Sequence, residues 1–229
     1  MATPLVKRIV CLANSRKMSG RCVAGRELAN GIPGGWVRPV SARPHEEVSL
    51  GEQQYQNGGL PQLLDIVDIP IAAARPGAHQ PENWLLDPGF YWAKRGRFDP
   101  SRLPSLLDPP APLWVNGSST FNGRNDKIPV DMLHDLGGSL RFIWVPSLRI
   151  EVSRPGAAFG NPARRAQAQF SYGQVEYRLR VTDPLAEERY LAVPDGAHQL
   201  GPSYLTVSVG EPFGDSCYKL VAAVIGGAS

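Results

Sequence analysis

No stretch of this 229-residue chain holds apolar residues at helical spacing for the length of an ordinary helix. Short apolar runs recur instead, and 22 prolines and 24 glycines, spread along the chain, cut between them. Turn formers alternating with short strand-like runs are what an all-β protein needs. The expectation is therefore an all-β fold with minor helix. Residues 9–12 (IVCL), 35–40 (GWVRPV), 63–73, 139–152, 166–171, 175–181, 204–209 and 217–225 read as strands. Leu140, Phe142, Trp144, Leu148, Ile150 and Val152 are expected on one face of 139–152. In 175–181, Val175, Tyr177, Leu179 and Val181 point inward and Glu176, Arg178 and Arg180 outward. The only candidate helices are 129–136 and 184–189.

Residues 75–113 show no regular pattern, and their aromatics, with Trp84, Tyr91, Trp92 and then Trp114, are expected to pin them down. Five or so strands in the last ninety or so residues match one small barrel. The soft boundary is placed near 135–138, giving an N-terminal unit over residues 1–136 with long loop insertions and a C-terminal unit over 137–229.

Charge is distributed unevenly. Residues 1–43 hold eight Lys or Arg (Lys7, Arg8, Arg16, Lys17, Arg21, Arg26, Arg38, Arg43) against Glu27 alone, a net of +7. Residues 44–136 carry −5 and residues 137–229 carry +1, so the overall +3 conceals one local positive field. Such a field suits an anionic partner at the N-terminal segment. Most of these cations are arginines, whose planar fork binds phosphate bidentately and stacks on bases.

Cys11, Cys22 and Cys217 form neither a CxxC pair nor a zinc spacing with His45, His79, His134 or His198. A reduced protein without structural metal or cofactor is expected. Residues 9–13 are too short a run for a signal peptide, and no apolar run approaches the roughly 20 residues of a membrane span. The expectation is a cytoplasmic protein with no membrane partner.

The ordered set of segments 9–17 (IVCLANSRK), 20–25 (GRCVAG), 35–41 (GWVRPVS), 82–84 (ENW), 181–184 (VTDP), 208–213 (SVGEPF) and 217–223 (CYKLVAA) resembles the prokaryotic dual OB-containing domain family across nearly the whole chain. The resemblance implies two tandem OB-like small β-barrels. It also implies a nucleic-acid or nucleotide sensing module linked to bacterial conflict and defence systems, and it brings no catalytic motif.

An OB barrel engages single strands on its second and third strands and the adjoining loops, with cations along the backbone and aromatics under the bases. On that pattern, residues 14–20 are read as a turn between two strands, placing Arg16, Lys17 and Arg21 at a barrel mouth. Trp36 and Arg38, two residues apart, share a face. Trp36 is either a stacking residue or core, and Trp84 is a second stacking candidate. Arg124, Lys127, Arg164 and Arg165, with Arg154, either extend a basic groove onto the second unit or are solvated loop charges.

The glycine-rich 31–35 lacks the helix start of a phosphate loop and is read as a turn. His45 with Glu46 and Glu47 is read as exposed loop, Cys22 as core, and Asp183 and Glu211 as turn residues capping backbone amides. No catalytic constellation survives.

The expected function is a module that binds single-stranded DNA or RNA, or a nucleotide ligand, as a sensor or accessory component of a bacterial defence system. The alternative is an adaptor docking an effector or toxin protein of the same system through Trp92 and Trp114. An enzyme acting on nucleic acid or nucleotide is the less favoured third reading. Reversing Arg16 and Arg38 together to glutamate is expected to abolish polyanion binding without unfolding the chain.

Overall fold

A computed structural model describes residues 4–226; residues 1–3 and 227–229, the outermost of the two expected domains, lie outside the described residues. The chain divides into two compact units, Met1–Leu107 and Asp108–Ser229. The boundary expected near 135–138 thus falls inside the second unit. Residues before it belong there because Ile128, Leu133 and Leu136 pack with Val209 and Cys217.

The first unit contains β1 (Leu5–Lys17), β2 (Gly20–Ala29), β3 (Ile32–Val40), β4 (Asp65–Ala74), β5 (Asn83–Leu86) and β6 (Ala93–Arg97). β1 pairs with β2, β2 with β3, β3 in parallel with β5, β5 with β4, and β4 returns to β1. The circuit 1-2-3-5-4-1 is a closed five-stranded barrel, with β6 added to β4.

β1 is long because it serves two neighbours. Leu5 to Val10 pair with β4, Ile9 to Lys17 pair with β2, and the register slips between Cys11 and Ala13. β2 passes so close that a Cβ on Gly25 would lie 2.1 Å from the Val10 carbonyl oxygen. Ile9, Cys11, Val23, Val37, Val67, Ile69, Ile71, Tyr55 and Trp92 fill the interior.

Residues 14–17, expected in a turn, are strand, and the β1–β2 loop is only Met18 and Ser19. The turn expected over 31–35 is Asn30-Gly31 alone, with φ of 51° and 79°. An Asn-Gly pair with both φ positive is the two-residue hairpin whose twist matches the strands it joins.

The second unit contains β7 (Lys127–Pro129), β8 (Leu140–Ser153), β9 (Arg165–Tyr172), β10 (Val175–Val181), α1 (Pro184–Leu191), β11 (Gly196–Val209) and β12 (Ser216–Gly226). β8, β9, β10, β12 and β11 close in the same circuit as the first barrel, again with a parallel joint, here Arg180 with Leu220 and Val181 with Val221. β7 is added to β12. The alternation expected for β10 holds: Tyr177, Leu179 and Val181 are core.

β8 departs from the expected single face. Its inward set changes from Ile143 and Val145 to Leu148, Ile150 and Val152. An extra residue at the slip opposite Gly201 to Ser203 switches the parity. Trp144 is in consequence 43% exposed. Helix α1 starts where Asp183 accepts the Leu185 and Ala186 amides and Pro184 fixes the first turn. Its other oxygen accepts the Val224 amide, so the expected capping role of Asp183 reaches into the barrel wall. Residues 130–135 form only a 3-10 turn.

Lys219 on β12 is 1% exposed, donating to the Val115 carbonyl at 2.5 Å and Asn116 Oδ1 at 2.9 Å. Burial pulls its ammonium down to about 8, against the opposing pull of Asp126. Above that value and below the ordinary 10.5 the unfolded chain keeps this proton while the native chain sheds it, so stability rises with pH there. Between pH 8 and 9.5 the wild type should gain stability, on the order of 1 kcal/mol, relative to Lys219→Met in urea denaturation. Parallel stability curves for the two proteins would contradict this.

Candidate nucleic-acid interface

The β1–β2 hairpin carries Arg16, Lys17 and Arg21 to one end of the first barrel, with Arg16 directly opposite Arg21 in register. Arg16 is exposed and Lys17 and Arg21 half-buried, and Met18 at the tip is 66% exposed. Arg21 is tied by both backbone bonds to Val48, at 2.8 and 2.9 Å, which brings the loop after β3 against the hairpin.

That loop supplies Arg43, whose guanidinium reaches Glu47 at 3.1 Å and Ser19 at 3.4 Å. Arg75, at the end of β4, pairs with Glu46 at 2.9 Å. Five cations therefore gather around three carboxylates. The third is Glu52, which accepts from the Ser41 hydroxyl at 2.6 Å and, despite burial, is drawn below the usual range by Ser41, Ser49 and in part by Arg43. Burial pushes the Glu47 carboxyl up, but its own amide, Arg43 and Ser19 outweigh this and hold it below the usual range. It stays ionised, and the end of the barrel keeps a net positive charge. Arg75 was not singled out by sequence and Arg43 only as one of eight cations in the N-terminal field, because only the closed barrel brings them to the hairpin. The expected exposed loop of His45, Glu46 and Glu47 is a structured part of this end, with Glu47 buried.

The other candidates in this unit are placed differently. Arg38 is 2% exposed and its guanidinium lies 3.4 Å from buried Glu82. It is a cross-link between β3 and the start of β5, so Arg38→Glu would set two carboxylates together in the interior rather than test binding. Trp36 is neither core nor an open platform. It sits opposite Arg26 in register, and that guanidinium lies 5.1 Å from its ring centre.

Trp84 packs on the barrel core, with the Lys7 ammonium 4.2 Å from its ring centre and Lys7 paired to Glu27 at 2.9 Å. It closes the barrel interior toward the start of β1. Cys22 is half-buried rather than core.

A second basic surface lies on β1, β4 and β6. Arg8 and Arg95 flank Asp68, while Lys94 and Arg97 flank the fully buried Asp65. Hydrogen bonds from Arg8, then from Arg95, hold the Asp68 carboxyl below the usual range despite burial.

In the second unit, Arg164 is committed to the fold, donating to Asp195 and to the Leu191 and Val193 carbonyls at 2.6 to 2.7 Å. Arg165 begins β9 and donates to the Arg164 carbonyl. Lys127 lies 3.8 Å from Asp215, in an open groove that also holds Asp131, Ser118 and Ser216. Two aspartates to one lysine disfavour phosphate there. Arg124 is exposed and bridges β10 through its backbone.

Trp92 is core, and Trp114 donates its indole N–H to the Gly138 carbonyl at 2.8 Å beneath Arg141. Neither is an exposed docking anchor. Among the described residues no group of His, Cys, Asp and Glu is arranged to hold a metal ion, and no helix is long and apolar enough to cross a membrane.

Two barrels closed by the same circuit, each with a parallel joint between third and fifth strands, define a tandem OB-fold protein. The family model described as dual OB-containing domain matches residues 7–224, and the chain belongs to that family. No curated protein matches the sequence.

Arg38→Ala would take the guanidinium away from the buried Glu82 carboxylate and should cost about 3–5 kcal/mol in urea denaturation. A loss under about 1 kcal/mol, the range of a surface pair, would show that the Arg38–Glu82 pair is not a structural cross-link.

Proposed function

We propose that the chain binds single-stranded nucleic acid, and that the hairpin end of the first barrel is its phosphate-binding site. The observation that carries this is the gathering of Arg16, Lys17, Arg21, Arg43 and Arg75 at one end of an OB barrel, around the three carboxylates of Glu46, Glu47 and Glu52. Proteins that bind single strands through this fold use a cationic track along the backbone. Arginine forks suit phosphate oxygens in a way that lysines do not. A part in a bacterial defence or regulatory system belongs to the same proposal and rests on the family resemblance alone.

The test is fluorescence anisotropy of labelled single-stranded DNA, single-stranded RNA and duplex at several salt concentrations. Binding should favour a single strand and weaken with salt. Arg16→Glu with Arg21→Glu should lower the slope of log affinity against log salt by about 0.7 for each phosphate that the variant no longer neutralises. Binding unchanged in that double variant would remove the site. No binding of the wild type to any of the three would remove the function.

A further inference from the structure

In a barrel of this kind the second and third strands carry the ligand face, and in the second unit these are β9 and β10. Here the chain covers that face itself. Residues 117–126 form a compact loop in which the Gly117 amide donates to Asn125 Oδ1 at 2.7 Å and the Asn125 amide to Ser119 Oγ at 2.9 Å. The Asp126 carboxylate accepts the Thr120 amide at 2.8 Å and its hydroxyl at 2.6 Å. Gly123 lies so near that a Cβ there would come within 1.9 Å of Asp126 Oδ2.

Paired backbone bonds between Arg124 and Arg178, 3.1 Å each way, fasten the loop to β10, and Asn125 Nδ2 donates to the Glu176 carbonyl at 2.9 Å. From there it reaches β9, where Gln167 Nε2 donates to the Asn122 carbonyl at 2.9 Å. Asn122 Nδ2 in turn donates to the Pro155 carbonyl at 2.6 Å, in the loop joining β8 to β9. A ligand approaching this side of the barrel meets these two loops first.

What the loops present is a pair of rings. Phe121 is 81% and Phe159 72% exposed, edge to face at 5.6 Å and 89°. They are the only large hydrophobic residues exposed in either loop among the described residues. The backbones beneath them are fixed, so the rings are held out without contributing to a core. The two loops and the strands they are fastened to carry Arg124, Arg154, Arg164, Arg165 and Arg178 against Asp126, Asp195, Glu151 and Glu176. One carboxylate, Asp195, serves both Arg154 and Arg164, and Glu151 takes Arg178. The surround is positive and polar. A protein-docking patch would be expected to extend its apolar area into neighbouring residues, whereas bases need only ring faces flanked by cations.

We propose that Phe121 and Phe159 are a base-stacking platform for single-stranded nucleic acid on the second unit, with Arg124 and Arg154 meeting the adjoining phosphates. This rests on the reading of the chain as a single-strand binder.

The experiment uses the full chain and a labelled oligothymidylate, comparing wild type, Phe121→Ala with Phe159→Ala, the corresponding double tyrosine variant, and Arg16→Glu with Arg21→Glu. The alanine pair should weaken binding about tenfold or more while leaving the salt slope of the wild type, because stacking releases no counterions. The tyrosine pair should bind as wild type. If the alanine pair binds like wild type while the arginine pair loses affinity, the platform is overturned and the single-strand reading stands. The exposed rings then belong to a protein interface. A wild type that binds no oligonucleotide overturns both.

Discussion

At Ile9 and Val10 one strand is paired on both sides at once, to Glu27 and Arg26 of β2 and to Val67 and Ile66 of β4. Everything in the first unit depends on this closure. A sheet that closes has no free edge at the joint and has an interior and two ends, and it is the ends that differ chemically. The register slip after Cys11 and the bare Cα of Gly25 against the Val10 carbonyl let β1 bend from one neighbour to the other. Past that bend β1 runs on to the hairpin, and the hairpin's position sets where Arg16, Lys17 and Arg21 stand.

Closure also sorts the charge. Of the eight cations in the first 43 residues, Lys7 is used by Glu27 and the Trp84 face, Arg8 by Asp68, Arg26 by Trp36 and Arg38 by Glu82. These four hold strands together or cover aromatic surface. Arg16, Lys17 and Arg21 are carried to the hairpin end, where Arg43 and Arg75 join them. A stretch that reads as one uniform positive field in sequence is thus part scaffold and part surface, and the division follows from which face of which strand each residue occupies.

The strands were legible because their alternation is local: β10 could be read residue by residue, and Asp183-Pro184 announced its helix. What escaped is what depends on distant partners. Nothing near Arg38 in sequence signals Glu82, so a buried cross-link looked like a binding cation. The parity switch of β8 at Pro146 and Ser147 hides inside a run that alternates well on either side, and it put Trp144 on the wrong face. β6 (AKRGR) has no apolar alternation at all, and β7 is too short to read, which moved the unit boundary. Phe121 and Phe159 sit among turn residues, and a phenylalanine there gives no sign of whether it turns in or out.

Hydrogen–deuterium exchange of the full chain, with and without a single-stranded oligonucleotide, tests the hairpin end as a binding site most directly. Exchange should slow in the peptides covering residues 15–22 and 41–48 of the first unit, where the hairpin meets the loop after β3. Protection confined to β6 and its neighbours, or to α1, with the hairpin exchanging as in the unliganded chain, would contradict it.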